Sequence, residues 1–389
     1  MNKTILALNA GSSSVKFGIC DIDHAGGPTM AARGSLEFGP SARIKAKAED
    51  GKSLVDRAIP HGDREGVIGA LLDWIETEFD GREISACGHR IVHGGTSFFD
   101  PVLLTPEHID AVEALAPLSP LHQPGSVAPI RAIAKLRPQL RQIGCFDTAF
   151  HRTIDPPASR FALPRGYEER GIRRYGFHGL SFESIASRLA AEGKADRRTV
   201  VAHLGNGASL CAMRYGRSLD TTMGFSALDG LVMGTRCGTL DPGVLLHLLQ
   251  HDKMTPDDLQ QMLYEKSGLL GVSGISADMR ELEASADPRA REAIELFVFR
   301  AAREIAALAN TLGGLDGLVF TAGIGEKSSA VRKAICDRLS WLGIALDENA
   351  NLAHAPLVSA AASTIEVKVM PADEEIVISR HVLEVIGAI

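Results

Sequence analysis

Apolar residues follow two rhythms along the chain: short runs closed by glycine-rich polar turns, and longer stretches with helical spacing. The run Thr4-Ile5-Leu6-Ala7-Leu8, the turn Asn9-Ala10-Gly11-Ser12-Ser13-Ser14 and the run Val15-Lys16-Phe17-Gly18-Ile19-Cys20 predict a β-hairpin. The pattern returns in residues 199–204, Gly205-Asn206-Gly207-Ala208-Ser209 and Leu210-Cys211-Ala212-Met213. Setting Ile5 on Val200, an offset of 200 − 5 = 195, also sets Ala7 on Ala202 and Ser14 on Ser209. Two matched hairpins half a chain apart predict a duplicated domain rather than a short repeat. Residues 64–79 carry Val67, Ile68, Leu71, Leu72 and Ile75 at the helical period. Thr105-Pro106 and Thr255-Pro256 each combine an N-cap with proline at the first helical position. Residues 287–312 predict a long helix with a stripe from Ile294 through Phe297, Val298, Ala301 and Ile305 to Leu308 and Leu312, stopped by Gly313-Gly314. A buried strand over 317–321 and helices over 328–339 and 375–386 follow. The fold class is α/β. The expected domains are residues 1–150 joined by the C-terminal helix 375–389, and residues 151–374.

Composition narrows the function classes. A chain of 389 residues that is 45% hydrophobic and 23% charged can bury sizeable cores and is not compositionally disordered. Its 41 basic and 48 acidic residues leave a net charge of −7, so a global basic field for nucleic acid is absent. No apolar run approaches the roughly 18 residues that cross a bilayer, and Met1 leads through Asn2 and Lys3 into a strand rather than a secretion signal. The six cysteines lie far apart with no C-x-x-C pair, which points to reduced thiols and a cytoplasmic protein.

Three glycine-rich turns follow apolar strands: residues 9–14, Gly205-Asn206-Gly207, and Gly323-Ile324-Gly325-Glu326-Lys327. Glycine lets the backbone approach a phosphate, and exposed N–H groups attract anions, although a tight hairpin alone also explains such a turn. Neither a P-loop nor a G-x-G-x-x-G fingerprint after a strand occurs. Arg90, in Gly88-His89-Arg90-Ile91-Val92-His93-Gly94-Gly95, and Arg236, in Met233-Gly234-Thr235-Arg236-Cys237-Gly238, sit between glycines. A guanidinium there could grip carboxylate or phosphate with paired hydrogen bonds, or could be a surface arginine. Asp147 ends the run Ile143-Gly144-Cys145-Phe146, as a base, an orienting carboxylate or a turn cap. His122 and His178 are hemmed by turn residues, and no zinc spacing supports a metal-ligand role for them. The acids Asp373-Glu374-Glu375 open the last helix, where they answer the dipole or touch a metal.

Taken in order, six segments resemble the acetate kinase family across essentially the whole chain. They are 9–16, 88–95, Phe146-Asp147-Thr148-Ala149-Phe150-His151, Tyr175-Gly176-Phe177-His178-Gly179, His203-Leu204-Gly205-Asn206-Gly207 and Met233-Gly234-Thr235-Arg236. The resemblance implies a duplicated ribonuclease-H-like fold of the actin-like ATPase and sugar kinase superfamily, with two domains around a nucleotide cleft. It implies reversible transfer of the γ-phosphoryl group of ATP to acetate with Mg²⁺, or Mn²⁺ in its place, by a homodimer. By position, Asn9 and Glu374 would lie at the metal, and Ser12, Ser14 and Lys16 at the phosphates. His203, Leu204, Gly205, Asn206 and Gly207, with Asp278, Met279, Arg280 and Gly323, Ile324, Gly325, Glu326 and Lys327, would line the nucleotide. Arg90 would hold the acyl carboxylate in a pocket with Val92, Leu121 and Phe177. Asp147, His178 and Arg236 would act at the reacting phosphoryl group, with His122 as a further active-site histidine.

The sequence departs from the family pattern at Lys327, often Asn; at Ala227, often Pro; and at Gln123, frequently Asn, a change expected to matter little. Ala227 beside the acyl pocket predicts that propionate is accepted, since one methylene is worth only about 1–3 kcal/mol. A propionate or butyrate kinase of the same fold remains the near alternative. An actin-like or chaperone-like ATP-driven switch is the alternative of another class, and it needs no carboxylate-binding arginine.

Overall fold

The structure, a computed structural model, describes residues 3–11, 14–22, 26–60, 62–79 and 82–387. It divides into two compact units, residues 1–150 with 373–389 and residues 151–372. The first holds β1 (Lys3–Ala10), β2 (Ser14–Ile22), β3 (Pro28–Glu37), β4 (Arg43–Ala48), β5 (Ser53–Ala58), β6 (Glu83–Ile91), β7 (Val102–Leu103) and β8 (Arg141–Phe146), paired in the order β5-β4-β3-β2-β1-β6-β8-β7. The second holds β9 (Thr199–Leu204), β10 (Ala208–Arg214), β11 (Arg217–Thr221), β12 (Gly317–Thr321) and β13 (Glu366–Val369), in the order β11-β10-β9-β12-β13. In each, three antiparallel strands meet two parallel ones, so β3-β2-β1-β6-β8 matches β11-β10-β9-β12-β13. The duplication inferred from the hairpins is therefore carried by both sheets. The single offset of 195 does not survive the turn. His203 faces Ser209 where Leu8 faces Phe17, because the second turn is three residues shorter along the return strand.

Sequence dictates the layering of the first unit. Ile5, Leu6, Ala7 and Leu8 are all buried, as expected for a central strand covered on both faces. Leu6, Leu8 and Ala10 pack with Val67, Ile68, Leu71 and Leu72 of the helix Arg64–Thr77. The opposite face receives the helix Glu374–Ile386, seated where glycines leave room. A Cβ on Gly88 would lie 2.4 Å from Ile378 Cγ2, and one on Gly18 2.8 Å from Glu375 Cβ. That helix begins at Glu374 rather than Glu375, because Asp373 Oδ1 caps it by accepting from the Ile376 N–H at 3.1 Å. Asp373 and Glu374 therefore group with the first unit, ahead of the boundary expected after residue 374.

Gly323 to Lys327, read as a glycine-rich turn, instead lie in a short helix, Ala322–Lys327. The Ala322 N–H donates to Glu326 Oε1 at 2.9 Å, so this segment supplies its own cap. Ala322 itself is at φ +65°, which costs a non-glycine residue strain. All six cysteines are free. Among the described residues, no helix is long and apolar enough to cross a membrane.

His89, His93 and His151 are among the histidines buried in the two cores. Burial pulls each down to about 4 from the ordinary 6.5. The unfolded chain takes up these protons below about 6.5, whereas the native state resists until about 4. Stability should fall as pH drops through that window, by about 1.4 kcal/mol per pH unit for each histidine. Urea unfolding at steps from pH 7 to pH 5 checks this, and a flat profile would contradict it.

Candidate active site

The parallel arrangement of β1, β6 and β8 brings three strand ends together in the first unit, where crevices in such sheets form. Arg90 pairs with Cys145 in the register, and the Asp147 N–H donates to the Ile91 carbonyl at 2.9 Å. Arg90 then donates to Asp147 Oδ2 from Nε at 2.8 Å and Nη2 at 2.5 Å, and from Nη1 to Asn9 Oδ1 at 3.0 Å. Asn9 Nδ2 donates to Glu374 Oε2 at 2.7 Å and, more weakly, to Glu375 Oε1 at 3.4 Å. Asp147 is buried, with its side chain 1% exposed, and Arg90 nearly so. Burial works against the Arg90 charge, but Asp147 and Glu374 outweigh it and hold the guanidinium above its ordinary value. Burial, with Asp147 and Glu375 nearby, pushes the Glu374 carboxyl up against the pull of Arg90. Arg33 meets Asp373 and also donates to Glu375 at 3.1 Å, leaving Glu374 to Asn9.

Oxygen donors with surplus negative charge suit a hard divalent cation. Asp147 Oδ1 is buried and takes no hydrogen bond among the described residues. Mg²⁺ is usually held by one or two carboxylates, with water and substrate phosphates completing its shell. The set Asn9, Glu374 and Asp147 Oδ1 fits that requirement. Among the described residues, no group of three or more His, Cys, Asp or Glu side chains could hold a metal by itself.

Val92 is buried just beyond β6, Leu121 is exposed, and His122 is half-buried at the start of the helix Gln123–Leu136. Gln123 has a larger part than the sequence suggested. Fully buried, it accepts from the His93 N–H at 3.1 Å and donates to the carbonyls of His93 and Val112, each at 3.0 Å. Lys16 is exposed and lies opposite Asn9 in the hairpin; the Ser14 carbonyl accepts from the Gly11 N–H at 2.8 Å, and Ser12 lies outside the described residues.

A second constellation forms in the other unit. His178, at φ +58°, precedes the helix Gly179–Ala191 and shares a 2.9 Å hydrogen bond between Nδ1 and Ser209 Oγ. Its ring stacks on His203, centroids 4.2 Å apart and planes 14° from parallel. His203 Nδ1 is in turn 2.8 Å from Ser181 Oγ. The turn Gly205–Gly207 is tied to the arginine loop, since the Gly234 N–H donates to the Asn206 carbonyl at 3.0 Å. Arg236 Nη1 donates to the Ala227 carbonyl at 2.9 Å. A Cβ on Gly207 would lie 3.0 Å from Arg236 Nη2 and 3.2 Å from His178 Nε2, so both side chains close on this one backbone position. Gly207 is not at positive φ, hence Gly207→Ala should fold with an unchanged melting temperature while pushing both groups aside. Its kcat should fall about tenfold to hundredfold, the usual penalty for such misplacement; full activity in a steady-state assay would separate Gly207 from the chemistry.

The remaining expected positions of the second unit border this constellation, since a Cβ on Gly205 would lie 3.6 Å from Ala322 Cβ and one on Gly234 3.2 Å from the Ala277 carbonyl. Phe177 is buried, and its carbonyl lies 2.9 Å from His151 Nε2. Leu204 and Met279 have buried side chains, whereas Gly323 and Lys327 are exposed. Asp278 caps the helix Met279–Ala284 and pairs with Arg280, whose side chain is exposed. Sequence reasoning missed Ser181, Ser209, Arg33 and Glu375. Two of these had a visible signal, Ser209 as the counterpart of Ser14 in the repeated hairpin and Glu375 as one of three consecutive acids.

Comparison with known proteins covers nearly the whole chain. Residues 4–380 match the acetokinase family. An acetate kinase of Rhodopseudomonas palustris is 51% identical over 394 aligned positions, covering 98% of each chain. The crystal structure of Porphyromonas gingivalis acetate kinase superposes with a TM-score of 0.87 at 35% identity, over 99% of this chain and 100% of that one. A propionate kinase from Francisella tularensis gives 0.89 at 34% identity, over 97% and 98%. With its paired sheets, its arginine and histidine constellations and these full-length matches, the chain belongs to the acetokinase family.

Proposed function

We propose that the chain transfers the γ-phosphoryl group of ATP reversibly to acetate, giving acetyl phosphate and ADP by in-line displacement. The observation that carries this reading is the buried Arg90–Asp147 pair with Asn9 and Glu374, a cationic fork among oxygen donors. The relatives named acetate kinase support the substrate, and the Francisella propionate kinase supports a near relative of it.

A carboxylate oxygen of acetate forms the new bond to phosphorus as the bond to the ADP oxygen breaks, and ADP leaves with that electron pair. Acetate is ionised at neutral pH, so no strong base is required. The difficulty is to join an anion to a polyanion, which calls for positive charge and alignment. In this reading Arg90 grips the carboxylate in a small pocket with Val92 and Leu121, near His122. Arg236 and His178 neutralise charge on the phosphoryl group in flight. Asp147 orients Arg90. Nucleotide contacts come from Ser12, Ser14 and Lys16, from residues 203–207, from Asp278-Met279-Arg280, and from residues 323–327. Asn9 and Glu374 would hold Mg²⁺, which supplies charge neutralisation at the phosphates when bound. The six free cysteines support a cytoplasmic setting.

Hydroxylamine trapping of acyl phosphate with ATP, Mg²⁺ and acetate tests the reading. ATP hydrolysis without trapped product would sink it in favour of a conformational switch. The same assay on propionate tests the Ala227 pocket: kcat/KM should lie within about a hundredfold of the acetate value.

We also infer a homodimer. The helix Pro242–Gln250 carries Val244, Leu245, Leu246, Leu248 and Leu249, yet none of its residues is buried. An apolar helix left uncovered marks an interface, and a second copy of this chain is its assigned occupant. Sedimentation should report twice the 41.5 kDa chain mass, and Leu246→Glu should halve it; a monomeric parent protein contradicts the inference.

A further inference from the structure

Arg332 is the largest fully buried side chain and has no carboxylate partner among the described residues. Its guanidinium is held by neutral acceptors instead. Nε donates to Asn351 Oδ1 at 2.8 Å, Nη1 to the carbonyls of Gly325 at 3.0 Å and Glu326 at 2.8 Å, and Nη2 to the Asn351 carbonyl at 2.7 Å. Nη2 also lies 3.2 Å from His354 Nδ1, which itself lies 3.1 Å from the Glu326 carbonyl. A buried charge without a counter-charge is costly, and it persists where its hydrogen bonds fix something else. What it fixes is the last turn of the helix Ala322–Lys327, whose carbonyls form the negative end that favours a cation. That helix is short and starts from a strained Ala322, so little in its own sequence keeps it in shape.

We propose that Arg332 is a positioning residue for nucleotide recognition: it pins the Ala322–Lys327 helix to Asn351 so that residues 323–327 present one fixed surface to ADP and ATP. The proposal rests on the assignment of those residues to the nucleotide. Its action is confined to that ligand, with no group on Arg332 touching substrate. Arg332→Lys keeps the charge but loses the fork that spans two carbonyls and Asn351.

The experiment measures ADP binding by calorimetry on the full chain, together with KM for ATP and for acetate. Arg332→Lys should weaken ADP and raise KM for ATP about tenfold, with KM for acetate within about twofold. Asn351→Ala retains the arginine but removes the Nε acceptor, and should shift ADP about threefold in the same direction, which serves should Arg332→Lys not fold. Gly323→Leu provides the control, because a Cβ there meets open space and leaves Arg332 untouched. Weaker ADP binding in Gly323→Leu with normal binding in both Arg332→Lys and Asn351→Ala overturns the positioning role alone. Normal ADP binding in Gly323→Leu overturns the assignment of the helix to the nucleotide, and this proposal with it. A fall in melting temperature of Arg332→Lys with unchanged ADP affinity assigns Arg332 to fold support only.

Discussion

Arg236→Ala should lower kcat about a thousandfold while leaving KM for ATP and acetate within about threefold. The asymmetry follows from what holds Arg236. One guanidinium nitrogen is committed to the Ala227 carbonyl at 2.9 Å, while the other lies beside Gly207, next to His178 Nε2. The loop is shaped around this placement. A Cβ on Gly268, which is at φ +63°, would lie 2.2 Å from the Met233 carbonyl and 2.9 Å from the Arg236 amide, so no larger residue lets the chain pass. A group preset in this way gains most when charge spreads over the transferring phosphoryl oxygens and little when separate ligands bind. Arg236→Lys should recover only part of the loss, since an ammonium cannot bond to the Ala227 carbonyl and the phosphoryl group in the same fork geometry. If KM rises steeply and kcat holds, Arg236 anchors a ground state and the proposed role is wrong.

The sequence made the hairpins, the long helix and the duplication legible because each is written in periodicity over many residues. The stripe from Phe297 to Leu312 is buried as its spacing requires. Arg90 and Asp147 could be singled out, yet their pairing depends on β6 and β8 being neighbours, which a separation of 57 positions along the chain conceals. The glycines beside Arg90 misled in kind. Gly88 reads in the sequence only as part of the setting of Arg90, whereas it makes room for Ile378 and Val382 of the C-terminal helix. Gly323 and Gly325 read as a turn because glycine disfavours helix, and the Glu326 cap that overrides this is a tertiary-scale detail of one side chain. Arg332 was invisible for a similar reason. An arginine within the helix Ser329–Arg338 reads as a solvated position until its carbonyl partners are known.

Arg90→Ala should raise KM for acetate at least about a hundredfold and cost about 3–5 kcal/mol of stability. Both effects come from one feature, the burial of Asp147 with Oδ2 accepting two guanidinium N–H groups. Removing the arginine strands that carboxylate and leaves Glu374 with only the Asn9 amide and acidic neighbours. The double variant Arg90→Ala/Asp147→Ala separates the two effects. It removes the stranded charge, so unfolding free energy should recover most of the loss, whereas acetate binding should stay as weak as in the single variant. A cost near the roughly 0–1 kcal/mol of an exposed ion pair would mean that water reaches Asp147 freely. The carboxylate would then have no need of Arg90, and its assignment as the group that orients the guanidinium would give way to one in which it exchanges protons at the reacting centre.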